Sequence, residues 1–195
     1  MRALLLSVIV ALASVSGARA ETVTEPRSGV SFEKKRGETT LTGVGLRTRT
    51  MLKVKVYAVG LYVADAVLAG PLQGERGRPK SPAFYQEMVS GDAPRAIHMK
   101  FVRDLSADQI RNAFREVLQK ADKAKVDAFV GYFGELKSGQ DCLLEWAPGG
   151  VLKTTFAGAA KPDIADKAFA SAVFGIWLGE KPIQDDIKAD LGKLF

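Results

Sequence analysis

Arg47 and Tyr57 are the two side chains best suited to hold the polar group of a small molecule. A guanidinium offers a planar fork of donors to a carboxylate, and a phenol adds one more. Both fall within residues 41–62, LTGVGLRTRTMLKVKVYAVGLY, where β-branched and aromatic residues alternate with polar ones on either side of a turn near Thr50. Gly43 and Gly45 precede the arginine, and Gly60 lies between Tyr57 and Tyr62; at such positions a bare backbone lets a ligand come close. Taken alone, each side chain has two readings. Arg47 is a ligand contact or a cation snorkelling at a sheet edge, and Tyr57 is a ligand contact or a core residue. The turn decides. A two-residue loop at 50–51 opposes Arg47 to Val54 and points it away from Tyr57; a three-residue loop or a bulge opposes it to Lys55 and puts it on the face of Tyr57.

Other chemistries find no support. His98 is the only histidine and Cys142 the only cysteine in 195 residues, so a metal site, a nucleophile–histidine pair and an internal disulfide are not expected. Both sit in strand-like segments, and the thiol reads as a buried, inert one. Gly43-Val-Gly45 lies inside a strand pattern and not at a strand-to-helix turn, so no nucleotide loop is present and no cofactor is expected. The formal charge is +6, and the basic residues are scattered rather than interleaved with aromatics, a poor pattern for nucleic acid but compatible with weak attraction to anionic lipid.

Residues 1–20 read as a secretory signal peptide. Arg2 forms a short basic start, 3–15 is apolar, and Ala18-Arg19-Ala20 is a small-x-small cleavage site, predicting cleavage after Ala20 and a periplasmic or secreted protein. The apolar run is too short to span a bilayer, and no transmembrane segment is expected in the mature chain. Removing Arg2 and Arg19 lowers the charge from +6 to +4. The remainder, 21–195, fits one domain.

The elements that must position Arg47 and Tyr57 follow in order. An edge strand is expected at 30–34, then the hairpin, then a surface loop over 65–80 with its glycines and prolines. Ser81-Pro82 opens a helix to about 89, and 94–103 alternates as a strand. Ser106 with Gln109 three residues on is a capping box; it starts a helix whose apolar face is Ile110, Phe114, Val117, Leu118 and Ala121. A second helix is predicted over 125–136. Strands at 141–146 and 151–156 flank a Pro-Gly-Gly loop. Pro162 begins a helix carrying Ile164, Phe169, Val173, Ile176 and Trp177, Gly179 ends it, and a last short helix runs from 181 to about 191. The sum is an α+β domain in which helices cover one face of an antiparallel sheet. Tyr62 and Trp177 read as packing residues.

Five pieces of the chain resemble the bacterial chalcone isomerase-like proteins. They are Gly43-Val-Gly-Leu-Arg47, Lys55-Val-Tyr-Ala-Val-Gly-Leu-Tyr62, Phe101-Val-Arg-Asp-Leu-Ser106, Gly139-Gln-Asp141 and Ile176-Trp-Leu-Gly-Glu-Lys-Pro182. The resemblance implies an open-faced β-sandwich with a small-molecule cleft between sheet and helices. Plant chalcone isomerases use an arginine matching Arg47, a threonine where Tyr57 stands, and a tyrosine and an asparagine where Ile110 and Val117 stand. Apolar side chains replace groups that would orient and polarise a ketone. Arg47 with a tyrosine instead resembles the non-catalytic, fatty-acid-binding branch, which implies a hydrophobic carboxylate or other small apolar ligand held by Arg47 and Tyr57, with Val59, Ile110, Phe114, Val117 and Ile176 as pocket lining. Two alternatives stand beside this reading: an intramolecular lyase of chalcone–flavanone type using Arg47 with other partners, and an envelope scaffold with a filled cavity. Oligomeric state is not legible.

Overall fold

The computed structural model describes residues 20–50 and 52–195; the expected signal peptide, apart from Ala20, lies outside the described residues. Two short strands, β1 (Thr22–Thr24) and β2 (Ser31–Glu33), pair with each other as a separate ribbon. The chain continues through β3 (Lys35–Arg36), β4 (Thr39–Arg49), β5 (Val54–Ala64), α1 (Asp65–Ala69), α2 (Pro82–Ser90), β6 (Arg95–Phe101), α3 (Ala107–Val117) and α4 (Lys123–Gly131). It closes with β7 (Asp141–Ala147), β8 (Val151–Phe156), β9 (Ala159–Ala160), β10 (Ile164–Ala165), α5 (Lys167–Leu178) and α6 (Asp185–Asp190). The main sheet is antiparallel, in the order β10-β8-β7-β6-β5-β4-β3, with β9 added beside β8. This is the α+β architecture expected, a sheet with its helices on one face.

Period-2 alternation sorts the two faces. Tyr57, Val59, Leu61 and Val63 of β5, with Ile97, Met99 and Phe101 of β6, join the large core beneath the helices. α5 lies within it, burying Phe169, Val173, Phe174, Ile176 and Trp177, and its N-terminus is capped by the Asp166 carboxylate accepting from Phe169 N at 2.9 Å. The alternate residues Ala58, Tyr62, Ala96 and Leu143 form a smaller cluster on the other face, where the β1–β2 ribbon lays Phe32 over them. His98 is buried there too, its Nε2 2.7 Å from Asp141 Oδ2 and its ring edge-on to Phe32.

Several expectations change. The strand near 30–34 pairs with β1 in the covering ribbon and not at the edge of the main sheet. The 65–80 loop begins with a helical turn, α1, whose Leu68 is buried. α3 stops at Val117, short of Ala121. The second helix ends at Gly131, and Leu136 instead bridges to Leu105. Ile164 is a strand residue opposite Leu152; α5 starts only after Asp166, because that carboxylate, and not Pro162, supplies the cap. The last helix starts at Asp185 rather than near Lys181.

The glycines of β4 serve packing rather than a ligand. A Cβ on Gly43 would stand 2.1 Å from the Asp190 carbonyl oxygen, so this residue admits the end of α6 against the sheet. Gly60 faces the opposite side, beneath Leu41 and Phe32. Beyond β3, the open edge of β4 is covered by Gln184, whose side-chain amide accepts from Thr48 N (3.1 Å) and donates to Leu46 O (3.2 Å). A side chain thus takes the place of a neighbouring strand.

Candidate functional site

The hairpin that carries Arg47 and Tyr57 has neither of the registers weighed from the sequence. Arg49 pairs with Val54 and Thr48 with Lys55 around a four-residue tip; a one-residue bulge then intervenes, and Arg47 stands directly opposite Tyr57. Continuing the tip register would have opposed Arg47 to Val56 and placed Tyr57 on the other face; the extra residue restores the shared face. Directly opposed residues have Cβ atoms roughly 4.5–5.5 Å apart, closer than the diagonal expected from the sequence.

Both side chains open on a cavity of about 440 Å³ between the sheet and α3. Its floor is the buried set Tyr57, Met99, Phe101, Ile110, Ile176 and Trp177. Its rim is exposed: Arg49, Thr50, Val54, Arg103, Gln109, Glu116 and Val117. The space persists because α3 leans on α4 instead of collapsing onto the strands. Phe114 stacks on Phe133 at 4.8 Å and meets Phe129 edge-on at 5.1 Å. Of the apolar face expected to be core, Ile110 is buried, Phe114 half-buried and Val117 exposed at the rim. The Ser106–Gln109 capping box forms as the sequence predicts, and Gln109 also lines the cavity.

Polar partners explain what the pair can do. Arg47 Nη1 donates to Ile183 O (3.3 Å) and Gln184 Oε1 (3.1 Å), both neutral. Among the described residues no carboxylate pairs with Arg47, and no acceptor is bonded to its Nε or Nη2. Tyr57 Oη accepts from Trp177 Nε1 at 3.0 Å. Its acceptor lone pair is thereby engaged while its own proton has no acceptor among the described residues, so the phenol is left as a donor. Burial pushes the Tyr57 pKa up to about 12, against the lowering effects of the Trp177 hydrogen bond and the Arg47 charge, so the donor keeps its proton at any physiological pH. An unpaired cation and a spare O–H thus stand together on one wall of an apolar cavity, two donors able to meet an oxygen anion.

Of the residues read from the sequence, Arg47, Tyr57, Ile110, Phe114, Val117 and Ile176 all line this cavity. Val59 does not: it is fully buried in the core on the same face as Tyr57. Trp177, read as packing, is both lining and the donor that fixes the Tyr57 hydroxyl. Arg103 and Gln109 also reach the cavity, and Gln184 touches Arg47. Helical spacing from Ile110 predicts the Phe114 and Val117 positions, whereas nothing in the local pattern marks Gln184, which lies 137 residues from its partner. Cys142 is buried and its pKa is raised by that burial, as an inert thiol should be. Among the described residues no group of three or more metal-ligating side chains forms and no helix is long and apolar enough to cross a membrane.

Comparisons with known proteins agree with this architecture. A relative from Humulus lupulus, described as chalcone isomerase-like protein 1, is 28% identical over 179 residues, spanning 80% of this chain and 82% of its own. The crystal structure of an Arabidopsis thaliana fatty-acid binding protein superposes with a TM-score of 0.75 at 23% identity, covering 89% of this chain and 96% of that one, and so shares the fold. The model of the family described as chalcone isomerase-like matches residues 79–192, more than half of the sequence, and the chain therefore belongs to the chalcone isomerase-like family.

Proposed function

We propose that this protein binds a hydrophobic carboxylate such as a fatty acid, without chemical turnover, in the cavity under α3. The observation that carries this reading is the cross-strand pairing of Arg47 with Tyr57 on the wall of an apolar cavity, each keeping a donor for an incoming anion. The volume, about 440 Å³, lies in the range of small-molecule sites, roughly 300–1,000 Å³. The structural neighbour from Arabidopsis thaliana is itself described as a fatty-acid binding protein, which supports the same reading here. Ile110 and Val117, where the plant isomerases carry polar groups, offer no hydrogen bond to a ketone, and this weighs against isomerisation. The open cavity weighs against a scaffold whose interior is filled. The signal-peptide pattern of residues 1–20 supports a role outside the cytoplasm.

Titration of the purified protein with a fluorescent fatty acid tests the proposal, alongside native mass spectrometry of protein isolated from the periplasm. Charge-assisted hydrogen bonds contribute roughly 1.5–3 kcal/mol, so Arg47→Ala should weaken binding by about 10- to 100-fold with the fold intact. Saturable turnover of chalcones, or fatty-acid affinity indifferent to Arg47, would overturn it.

A further inference from the structure

We infer that the β4–β5 hairpin tip is a docking element that presses the mouth of the cavity onto an anionic lipid bilayer. The tip is a turn closed by Lys53 N donating to Thr50 O at 3.0 Å. Such turns ordinarily carry Gly, Pro, Asn, Asp or Ser at their centre; here the central residues are Met51 and Leu52. Leu52 is 87% exposed. Thr50 (φ 68°) and Lys53 (φ 51°) both hold left-handed backbone conformations that non-glycine residues disfavour, a β-branched threonine most of all. Leu52 is thus presented to solvent between two residues held in a disfavoured backbone conformation that Gly or Asn would adopt at less cost.

Single exposed apolar residues are common on soluble proteins, but these are not scattered. The large hydrophobics exposed among the described residues are Leu52, Val54, Val117 and Leu194. Val54 and Val117 lie on the cavity rim, and Leu52 sits in the turn between the rim residues Thr50 and Val54. Three of the four therefore gather at one opening. Around them stand Arg49, Lys53 and Arg103, exposed and without a carboxylate partner among the described residues, against Glu116 as the one acid on the rim. An apolar prong inside an uncompensated basic collar matches a bilayer's acyl interior beneath anionic headgroups. An acidic protein groove would match the collar but gives no reason for an apolar prong beside an acyl-sized opening. The inference deepens the binding reading above by naming where the ligand enters, yet bilayer docking itself does not require a bound ligand.

The test is sedimentation of the mature protein with vesicles and no added fatty acid. Vesicles of phosphatidylglycerol and phosphatidylethanolamine should carry the protein down, vesicles of phosphatidylcholine alone should not, and added salt should release it. Leu52→Asp and, separately, Lys53→Glu should each lower vesicle affinity by about tenfold or more. Neither residue lines the cavity, so fatty-acid affinity measured in vesicle-free buffer should stay unchanged, and circular dichroism should show native folding. Equal sedimentation of wild type and Leu52→Asp, or no preference for anionic vesicles, overturns the inference and hands the tip to a protein partner or to none. Loss of fatty-acid binding with intact vesicle docking would instead sink the ligand reading alone.

Discussion

Two arginines stand on the same face of the sheet, at opposite ends, and they have been treated in opposite ways. Arg95 on β6 is 2% exposed, with its guanidinium 3.8 Å from the Trp146 ring centre and 5.1 Å from that of Phe174. Its Nη1 donates to Gly91 O and Ala93 O, while Nε and Nη2 have no partner among the described residues, and burial lowers its pKa to about 10. Arg47 on β4 is half-buried beside empty space, with a phenol for a neighbour. The difference lies in what fills the volume in front of the charge. At Arg95 two aromatic rings do, so the cation is spent on packing and cation–π attraction. At Arg47 no ring does, and the charge remains available. A buried cation on a core face is thus no signature of a binding site; the unfilled volume beside it is.

The largest effect expected from this contrast is on Arg95. Arg95→Ala should cost roughly 2–4 kcal/mol in chemical denaturation, by emptying the slot between Trp146 and Phe174. It should leave fatty-acid affinity unmoved; a loss of affinity with unchanged stability would erase the distinction. Arg47→Ala should show the reverse profile, losing affinity with a stability change of about 1 kcal/mol or less, since it gives up only hydrogen bonds to neutral, partly wet groups. Tyr57→Phe is a finer probe of the pair. Ligand affinity should drop by about 1 kcal/mol, and stability by about 1–2 kcal/mol because Trp177 Nε1 is left buried without an acceptor. The double variant with Arg47→Ala should show less than the summed loss of affinity if both groups hold one anion.

The smallest effect extends the comparison to the other face. His98, sealed under Phe32, has its pKa lowered chiefly by burial, with Arg36 and Lys100 adding to the lowering and Asp141 opposing it. Its imidazolium is therefore disfavoured in the folded state. The unfolded chain binds this proton below about pH 6.5, so the stability associated with neutral His98 is present above that pH and declines as pH falls toward the lower folded value. Denaturation midpoints of wild type and His98→Phe should converge on acidification through that window; parallel curves would show that His98 titrates alike in both states.

How much of this was legible beforehand differs between strands and site. The strands of the sheet announce themselves by alternation, and the α3 start by Ser106 and Gln109, because these signals are local. Arg47 and Tyr57 could be chosen by chemistry alone. Their juxtaposition could not, because a one-residue bulge inverts every later pairing, and its trace is slight: apolar residues at 54, 56 and 57, where strict alternation would put 57 on the polar side. Ile164 reads as helical from sequence because it falls at a helical spacing from Ala168, but the Asp166 cap lies between them. Gln184 and the Gly43 contact with α6 join distant parts of the chain, and no local pattern encodes such meetings.

The two tryptophans in the chain divide between the two arginines: Trp146 lies against Arg95, and Trp177 donates to the hydroxyl that faces the cavity. Indole emission responds to its hydrogen-bonding and dielectric surroundings, so a molecule entering beside Tyr57 should change the emission of Trp177 and leave that of Trp146 unmoved. Fluorescence titration of Trp146→Phe, in which Trp177 is the remaining indole, would read any occupant of the cavity without an added label, and the wild-type Trp146 would serve as an internal reference.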